Sequence, residues 1–388
     1  MPNDINSKQS LIALVAGHIS GLIFLVCLPL WITALTTGYS YSPSQAGLLP
    51  TTFLVGAVIT SLITSIKFSV ISSRLLAPSC FAISAVAFYV IKQTPDYFTL
   101  LILHFIAGAS LGIGISIVHG TMGGTQNAHK TFATAGFGLG IGSIAILAIV
   151  PQLTATIGYG SFFLCFSILC TFTSVVMFIF MPTPSHQATA ERPSSSMPLT
   201  VYFVILGLIG MGFIQNMVFS FLVEVGYARA FYPISIERML IALGVINLFP
   251  PIFAALLQTR FSALRVAKIG CVLMGLIGVC IFTATNFWVY AIPACCFVGV
   301  MIFCHTFIFG FMAKHDTSGR SVSATPAILM AGAALAPIVA GLLVEHLGYH
   351  AIAYACIVLI AFCLSMFTLA SHYLEYSHSS TSTHIPQQ

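Results

Sequence analysis

Twelve apolar runs, each about the length a helix needs to cross a bilayer, leave this chain few folds to choose from. They lie at 11–35, 45–66, 70–91, 97–118, 131–151, 158–181, 199–223, 236–258, 266–285, 286–312, 323–345 and 350–372. Only 5% of the 388 residues are charged, against 58% hydrophobic. A soluble domain carries about 25% charged residues, so this surface must face lipid. Hydrocarbon offers backbone groups no partner, which leaves helices or closed barrels. Barrel strands alternate apolar and polar residues over about ten positions, whereas runs such as 199–222 and 351–370 are unbroken. The expected fold is all-α and integral to the membrane, with twelve transmembrane helices. One junction decides the count: only Thr285-Asn286 parts the ninth run from the tenth, and a single merged segment would make the number odd.

The run at 11–35 is too long for the apolar region of a signal peptide and lacks a small-x-small exit, so it reads as the first span. The eleven cysteines sit in or beside apolar runs without metal-type spacing and read as small core residues. Orientation follows the Lys/Arg bias of short loops. With the N-terminus inside, the inner segments carry Lys8, Lys67, Arg74, Lys130, Arg192, Arg260, Arg265, Lys268, Lys314 and Arg320. The outer loops carry only Lys92, Arg229 and Arg238. Both termini are therefore expected in the cytoplasm, in a plasma membrane or bacterial inner membrane. Trp31, Tyr39, Tyr41, Tyr97, Tyr227, Tyr232, Trp288 and Tyr290 fall near the expected outer boundary, where amphipathic rings favour the interface. The stretch 182–198, with Pro182, Pro184, Pro193 and three consecutive serines, reads as a cytoplasmic linker dividing the spans six and six. The expected domains are an N-terminal segment 1–10, a bundle 11–181, that linker, a bundle 199–372 and a disordered tail 373–388.

An internal repeat supports the division. At an offset of 190, Gly120 falls on Gly310, Gly142 on Gly332, and Gly158-Tyr159 on Gly348-Tyr349. At 193, Lys67-Phe68-Ser69 falls on Arg260-Phe261-Ser262. Two six-helix halves with a cytoplasmic linker resemble the major facilitator superfamily over roughly residues 10 to 372. The segment from Gly332 to Gly341, followed by Gly348-Tyr349, looks typical of that family. The loop 65–74 keeps only the basic residues of the family's pattern there, and span five has Gly136, Gly138, Gly140 and Gly142 in place of the drug-antiporter pattern. The resemblance implies two pseudo-repeats around a central cavity lined by spans one, four, seven and ten.

Small residues recur at helical spacing. Gly138 and Gly142 form one stripe, and His104, Gly108, Gly112, Ser116 and Gly120 form another along span four; such stripes let helices approach closely in lipid. Ionisable or strongly polar residues inside spans are costly and default to functional candidates. No Asp or Glu lies mid-span; Glu224 and Glu345 sit at outer ends. The candidates for solute binding are His18, His104, Gln215, Asn216 and His305, with Asn247, just before Pro250-Pro251, as a secondary one. By rise per residue, His18 and His305 lie toward the inner side, His104, Gln215 and Asn216 toward the outer side. His104, His305 and Glu224 are the proton-coupling candidates, since imidazole changes charge between pH 5 and 8.

An inventory this poor in charge favours a neutral, zwitterionic or weakly acidic organic solute. The expected function is secondary active transport by alternating access, as proton-linked uptake. Drug or metabolite efflux is the alternative within that class, and a non-transporting sensor on the same fold the alternative outside it. Enzyme motifs, metal spacings and nucleotide-binding loops are absent from the sequence, so no cofactor is expected beyond a proton gradient. The expected partners are the solute and the bilayer, with no nucleic acid, around a monomeric unit.

Overall fold

The computed structural model describes residues 4–67, 73–94, 96–182, 197–315 and 325–382. Among these, twelve helical segments are long and apolar enough to cross a membrane, and no strand forms. The chain is a multi-pass membrane protein. The doubtful junction resolves into two helices, Ala263–Thr283 and Phe287–His315, parted at Ala284–Asn286 by the extended backbone of Ala284. The linker residues 183–196 and residues 68–72 of the second loop lie outside the described residues.

Numbered along the described chain, the first half comprises α1 (Lys8–Val26), α2 (Leu28–Thr33), α3 (Pro43–Lys67), α4 (Ser73–Gln93), α5 (Tyr97–Gly123), α6 (Ala128–Ile157) and α7 (Ser161–Phe180). The second comprises α8 (Leu199–Ser220), α9 (Leu222–Ala228), α10 (Pro233–Ile246), α11 (Pro250–Leu257), α12 (Ala263–Thr283), α13 (Phe287–His315), α14 (Thr325–Ala334), α15 (Ala336–Leu347) and α16 (His350–Ser382). Spans one, seven, eight and eleven are thus each broken. The breaks fall at Cys27, at Phe221, between Ile246 and Pro250, and at Leu335. Pro29, Pro250, Pro251 and Pro337 follow three of them, each removing an N–H that the carbonyl four residues earlier would have used.

The repeat is visible in backbone geometry. Gly158 and Gly348, matched in sequence, close α6 and α15 with nearly the same conformation, φ 85° and ψ 172° against φ 79° and ψ 173°. Each donates its N–H to the carbonyl four residues back, Thr154 or Val344. A positive φ with extended ψ is a region open to glycine alone. The breaks at Cys27 and Phe221 mark equivalent points of spans one and seven.

The chain forms two compact units. One is Met1–Ala188 with Phe219–Val245 and Ala334–Gly348; the other is Thr189–Val218, Ile246–Ala333 and Tyr349–Gln388. This division cuts across the six-and-six expectation: parts of spans seven, eight and eleven belong with the first half. The chain passes between units within three residues of the breaks at Phe221, Ile246–Pro250 and Leu335. In the first unit, α15 lies so close to α3 that a Cβ on Gly47 would overlap the Pro337 carbonyl, and one on Gly341 the Pro43 carbonyl.

Two expectations are corrected. Trp31 and Tyr290 are each 1% exposed and turn inward, so their rings meet protein and not lipid, whereas Trp288 and Tyr232 are 67% and 78% exposed. Position along the sequence placed all of them near a boundary; the helix face decides which reach it. The tail is also helical to Ser382, beyond the expected start of disorder at 373. Adding residues to an existing helix costs far less than nucleating one. Residues 383–388 lie outside the described residues.

The span-four stripe is a packing surface. A Cβ on Gly108 would overlap the Phe53 carbonyl, and one on Gly112 the Ala57 carbonyl. Thr60 donates to the Ala109 carbonyl at 2.8 Å and Ser116 to the Ser61 carbonyl at 3.2 Å. Gly138 and Gly142 likewise meet Val15, Ile19 and Ile23 of α1, whereas Gly136 has open space around it. Gly108→Ala is accordingly expected to cost about 1–3 kcal/mol through overpacking. Gly136→Ala should leave stability level or raise it by up to about 1 kcal/mol through helix propensity. Thermal unfolding of the two variants in detergent checks the contrast.

Candidate functional site

The sequence candidates divide between the units. His18, His104 and Glu224 belong to the first; Gln215, Asn216, Asn247 and His305 belong to the second. In the first unit, His18 Nδ1 lies 3.0 Å from His119 Nε2, with ring centroids 5.1 Å apart. One ring must be the donor and the other the acceptor, so the pair shares one N–H between spans one and four. His119 was not a sequence candidate, because the apolar run of span four ends at 118, whereas α5 continues to Gly123. The nearby spacing of His104, Gly108, Gly112 and Ser116 could have extended the span.

His104 is fully buried. Its Nδ1 meets the Leu100 carbonyl at 2.7 Å, its ring stacks on Trp31 at 5.5 Å and meets Phe163 edge-on at 5.9 Å. Phe53, Phe88, Phe162 and Phe166 complete the aromatic surroundings of Trp31. Glu224, on α9, lies beside the Thr33 and Thr36 hydroxyls. Thr36 directs its hydroxyl to the Ile32 carbonyl at 3.0 Å, while Glu224 Oε1 and Thr33 Oγ1 close no well-formed hydrogen bond. Glu345 holds a helix end instead. Its Oε2 accepts from the Ser44 N–H at 2.9 Å and the Ser42 hydroxyl at 2.8 Å. It thereby caps the N-terminus of α3, where negative charge suits the helix dipole.

In the second unit, Asn216 is 6% exposed and donates from Nδ2 to the Gly212 carbonyl at 2.8 Å. Gln215, its neighbour in sequence, is half-buried. The His305 ring lies tilted by 36° against Phe309, centroids 5.0 Å apart. Asn247 sits in the break of span eight, and a Cβ on Gly299 would lie 3.3 Å from its Oδ1, so the glycine leaves room beside that oxygen.

Buried polar atoms are nearly always paired, and each exception calls for a reason. Among the described residues five buried side-chain atoms have no partner: Trp31 Nε1, Thr33 Oγ1, His104 Nε2, Glu224 Oε1 and Asn247 Oδ1. Three belong to residues singled out in the sequence. The other two lie beside them, Trp31 stacked on His104 and Thr33 next to Glu224. In the first unit they offer donors from Trp31 and Thr33 and acceptors from Glu224 and from Nε2 of neutral His104, whose Nδ1–H is given to the Leu100 carbonyl; in the second unit Asn247 offers an acceptor. No group of three His, Cys, Asp or Glu is placed to hold a metal among the described residues.

Solved structures settle the architecture. A bacterial homologue of the human lysosomal transporter Spinster, inward-facing and occupied, is similar over 96% of this chain and 98% of its own, with a TM-score of 0.75 and 12% identity. The chain has the major facilitator fold. The nucleoside transporter NupG matches over 95% of this chain and 100% of its own, at a TM-score of 0.68 and 13% identity. The human organic anion transporter MFSD10 matches over 93% and 99%, at 0.66 and 14%. These neighbours are membrane transporters. No protein-family model and no curated protein matches the sequence.

The imidazole pair makes a measurable statement about this fold. His119→Phe leaves His18 buried without its partner and should cost about 1–3 kcal/mol. Replacing both histidines by Phe should cost less than the sum of the single changes, since the second removes an already unpaired group. Thermal unfolding of the four proteins of this cycle reads the coupling directly; strictly additive losses would contradict the hydrogen bond.

Proposed function

We propose that this major facilitator fold is a secondary active transporter that takes up a small neutral, zwitterionic or weakly acidic organic solute by alternating access, coupled to protons. The observation that carries the reading is the set of unpartnered buried groups within the first unit, at Trp31, Thr33, His104 and Glu224. A solute with hydroxyl, amide or carboxyl groups would supply the missing partners. His18 in the first unit, and Gln215, Asn216, Asn247 and His305 in the second, are further candidates for solute contact, each unit taken by itself. The sequence places no Lys, Arg, Asp or Glu mid-span, which disfavours a multiply charged solute.

Breaks in spans one, seven, eight and eleven support alternating access, because discontinuous helices are where transporters of this general kind bind and bend. The proton would be carried by imidazole. His104 and His305 are the sequence candidates, and the His18–His119 pair joins them, because a second proton would convert its hydrogen bond into a like-charge contact. Glu224, beside two hydroxyls, is the carboxylate alternative. Uptake is the proposed direction, since the span-five pattern of drug antiporters is lacking. The neighbours named above carry substrates as different as nucleosides and organic anions in their own descriptions, so the fold leaves the solute open and the side chains must choose it.

A ligand that binds only the folded state raises its melting temperature by mass action. Purified protein should therefore be screened against sugars, amino acids, organic acids, nucleosides and amphipathic cationic drugs, at mildly acidic and near-neutral pH. The expected result is stabilisation by one class of neutral, zwitterionic or weakly acidic solute, changing with pH and lost in Asn247→Ala and His104→Gln. Stabilisation by cationic drugs alone would favour efflux. No response from a folded sample would favour the sensor.

A further inference from the structure

Spans one, five and six enclose an apolar groove of about 380 Å³ at the end of the bundle where α1 and α6 begin. Leu11, Ile12, Val15 and Ile19 form its α1 side, with Thr134 of α6 and Phe172 of α7 opposite. Its volume falls in the range of roughly 300–1,000 Å³ typical of small-ligand sites, yet it offers almost nothing to hydrogen-bond. Its mouth faces hydrocarbon: on α7, Ile168, Phe172, Val175 and Ile179 are 60%, 60%, 54% and 57% exposed. Their spacing of four, three and four residues makes one lipid-facing stripe. A dry groove opening onto lipid would be filled by a lipid chain.

Two cations stand at its headgroup end. Lys8 precedes Leu11 and Ile12 by three and four residues, and Lys130 precedes Thr134 by four, placing each about one helical turn beyond the lining, roughly 5–6 Å along the axis. Side chains lean toward the N-terminus of their helix. Because α1 and α6 both start here, both lysines lean out of the hydrocarbon toward the headgroup level. Both are exposed, and neither has an ion-pair partner among the described residues. The helix starts are tied together: Asn6 Oδ1 accepts from the Gln126 N–H at 2.8 Å, while Ser7 and Asn127 cap α1 and α6. Asp4, four residues before Lys8, accepts from the Asn6 N–H at 3.0 Å. The positive ends of two helix dipoles reinforce the two ammonium groups.

We propose that this is a binding site for an anionic phospholipid, with one acyl chain in the groove between spans one, five and six and the phosphate held between Lys8 and Lys130. Basic sites of this kind at the ends of membrane helices select anionic headgroups. The site is independent of the solute reading, and its failure would leave that reading untouched.

Native mass spectrometry of the full-length protein with added phosphatidylglycerol or phosphatidylcholine tests it. The wild type is expected to retain phosphatidylglycerol in preference. Lys8→Gln/Lys130→Gln should reduce that retention roughly tenfold and leave phosphatidylcholine unchanged. Thr134→Phe, which fills the groove from its exposed rim, should weaken retention of both lipids, and Lys92→Gln, on a different loop, should alter neither. Free glycerol phosphate should not displace the lipid, because it lacks the chain. Equal retention of the two lipids, unchanged retention in the double variant, or no effect of Thr134→Phe would each overturn the proposal.

Discussion

Hydrocarbon gives a backbone carbonyl nothing to bond with, and this constraint shapes everything else in the chain. A continuous helix satisfies its own backbone; a broken one must have its free groups covered by protein or by a wet cavity. The breaks at Cys27, Phe221, Ile246–Pro250 and Leu335 are therefore costly features. At Leu335 a neighbouring helix comes close, whereas Ile246 and Phe249 at the span-eight break are 37% and 49% exposed. Gly47 and Gly341 bring α3 and α15 together at backbone distance, and Gly108 and Gly112 do the same for α5 on α3. In lipid, where apolar burial drives little helix association, such contacts and a few interhelical hydrogen bonds must supply the cohesion.

The same breaks organise the molecule. Three of them lie within three residues of a crossing between the two compact units, so a span can belong to one unit on one side of its break and to the other beyond it. The unpartnered buried atoms show a related economy. Asn247 sits in a break, Glu224 on the short helix after one, and Trp31 and Thr33 on the short helix after another. Four of the five unpartnered atoms lie at or just after an interrupted helix, while His104 stands in the unbroken α5. Glu345 behaves differently. Its carboxylate is already engaged at the start of α3, where it stabilises a helix end.

Much of the architecture was legible because hydrophobicity is a coarse, additive signal. Run length gave twelve spans, and Gly158-Tyr159 against Gly348-Tyr349 gave a repeat whose two glycines share one backbone conformation. Pro250-Pro251 pointed to the break in span eight; prolines also follow the breaks at Cys27 and Leu335, which were not read from them, and the break at Phe221 has no proline. What could not be read was direction around a helix axis. Trp31 lies near a span end by position but points inward onto His104, and His119 lay one residue past the end of an apolar run yet on a continuing helix. Equally, the span-four stripe mixes two roles: Gly108 and Gly112 pack against α3, while His104 stacks on Trp31 of α2. Spacing shows that residues share a helix; only packing shows what they meet.

Solute movement driven by a proton gradient tests the central claim most directly. The protein, reconstituted into liposomes with an imposed pH gradient, would be followed for accumulation of the solute identified by binding. Accumulation with inward proton flow, abolished by collapsing the gradient and reduced in His119→Gln while binding persists, is the expected result. Binding without flux, or flux indifferent to the gradient and to His119, would contradict it.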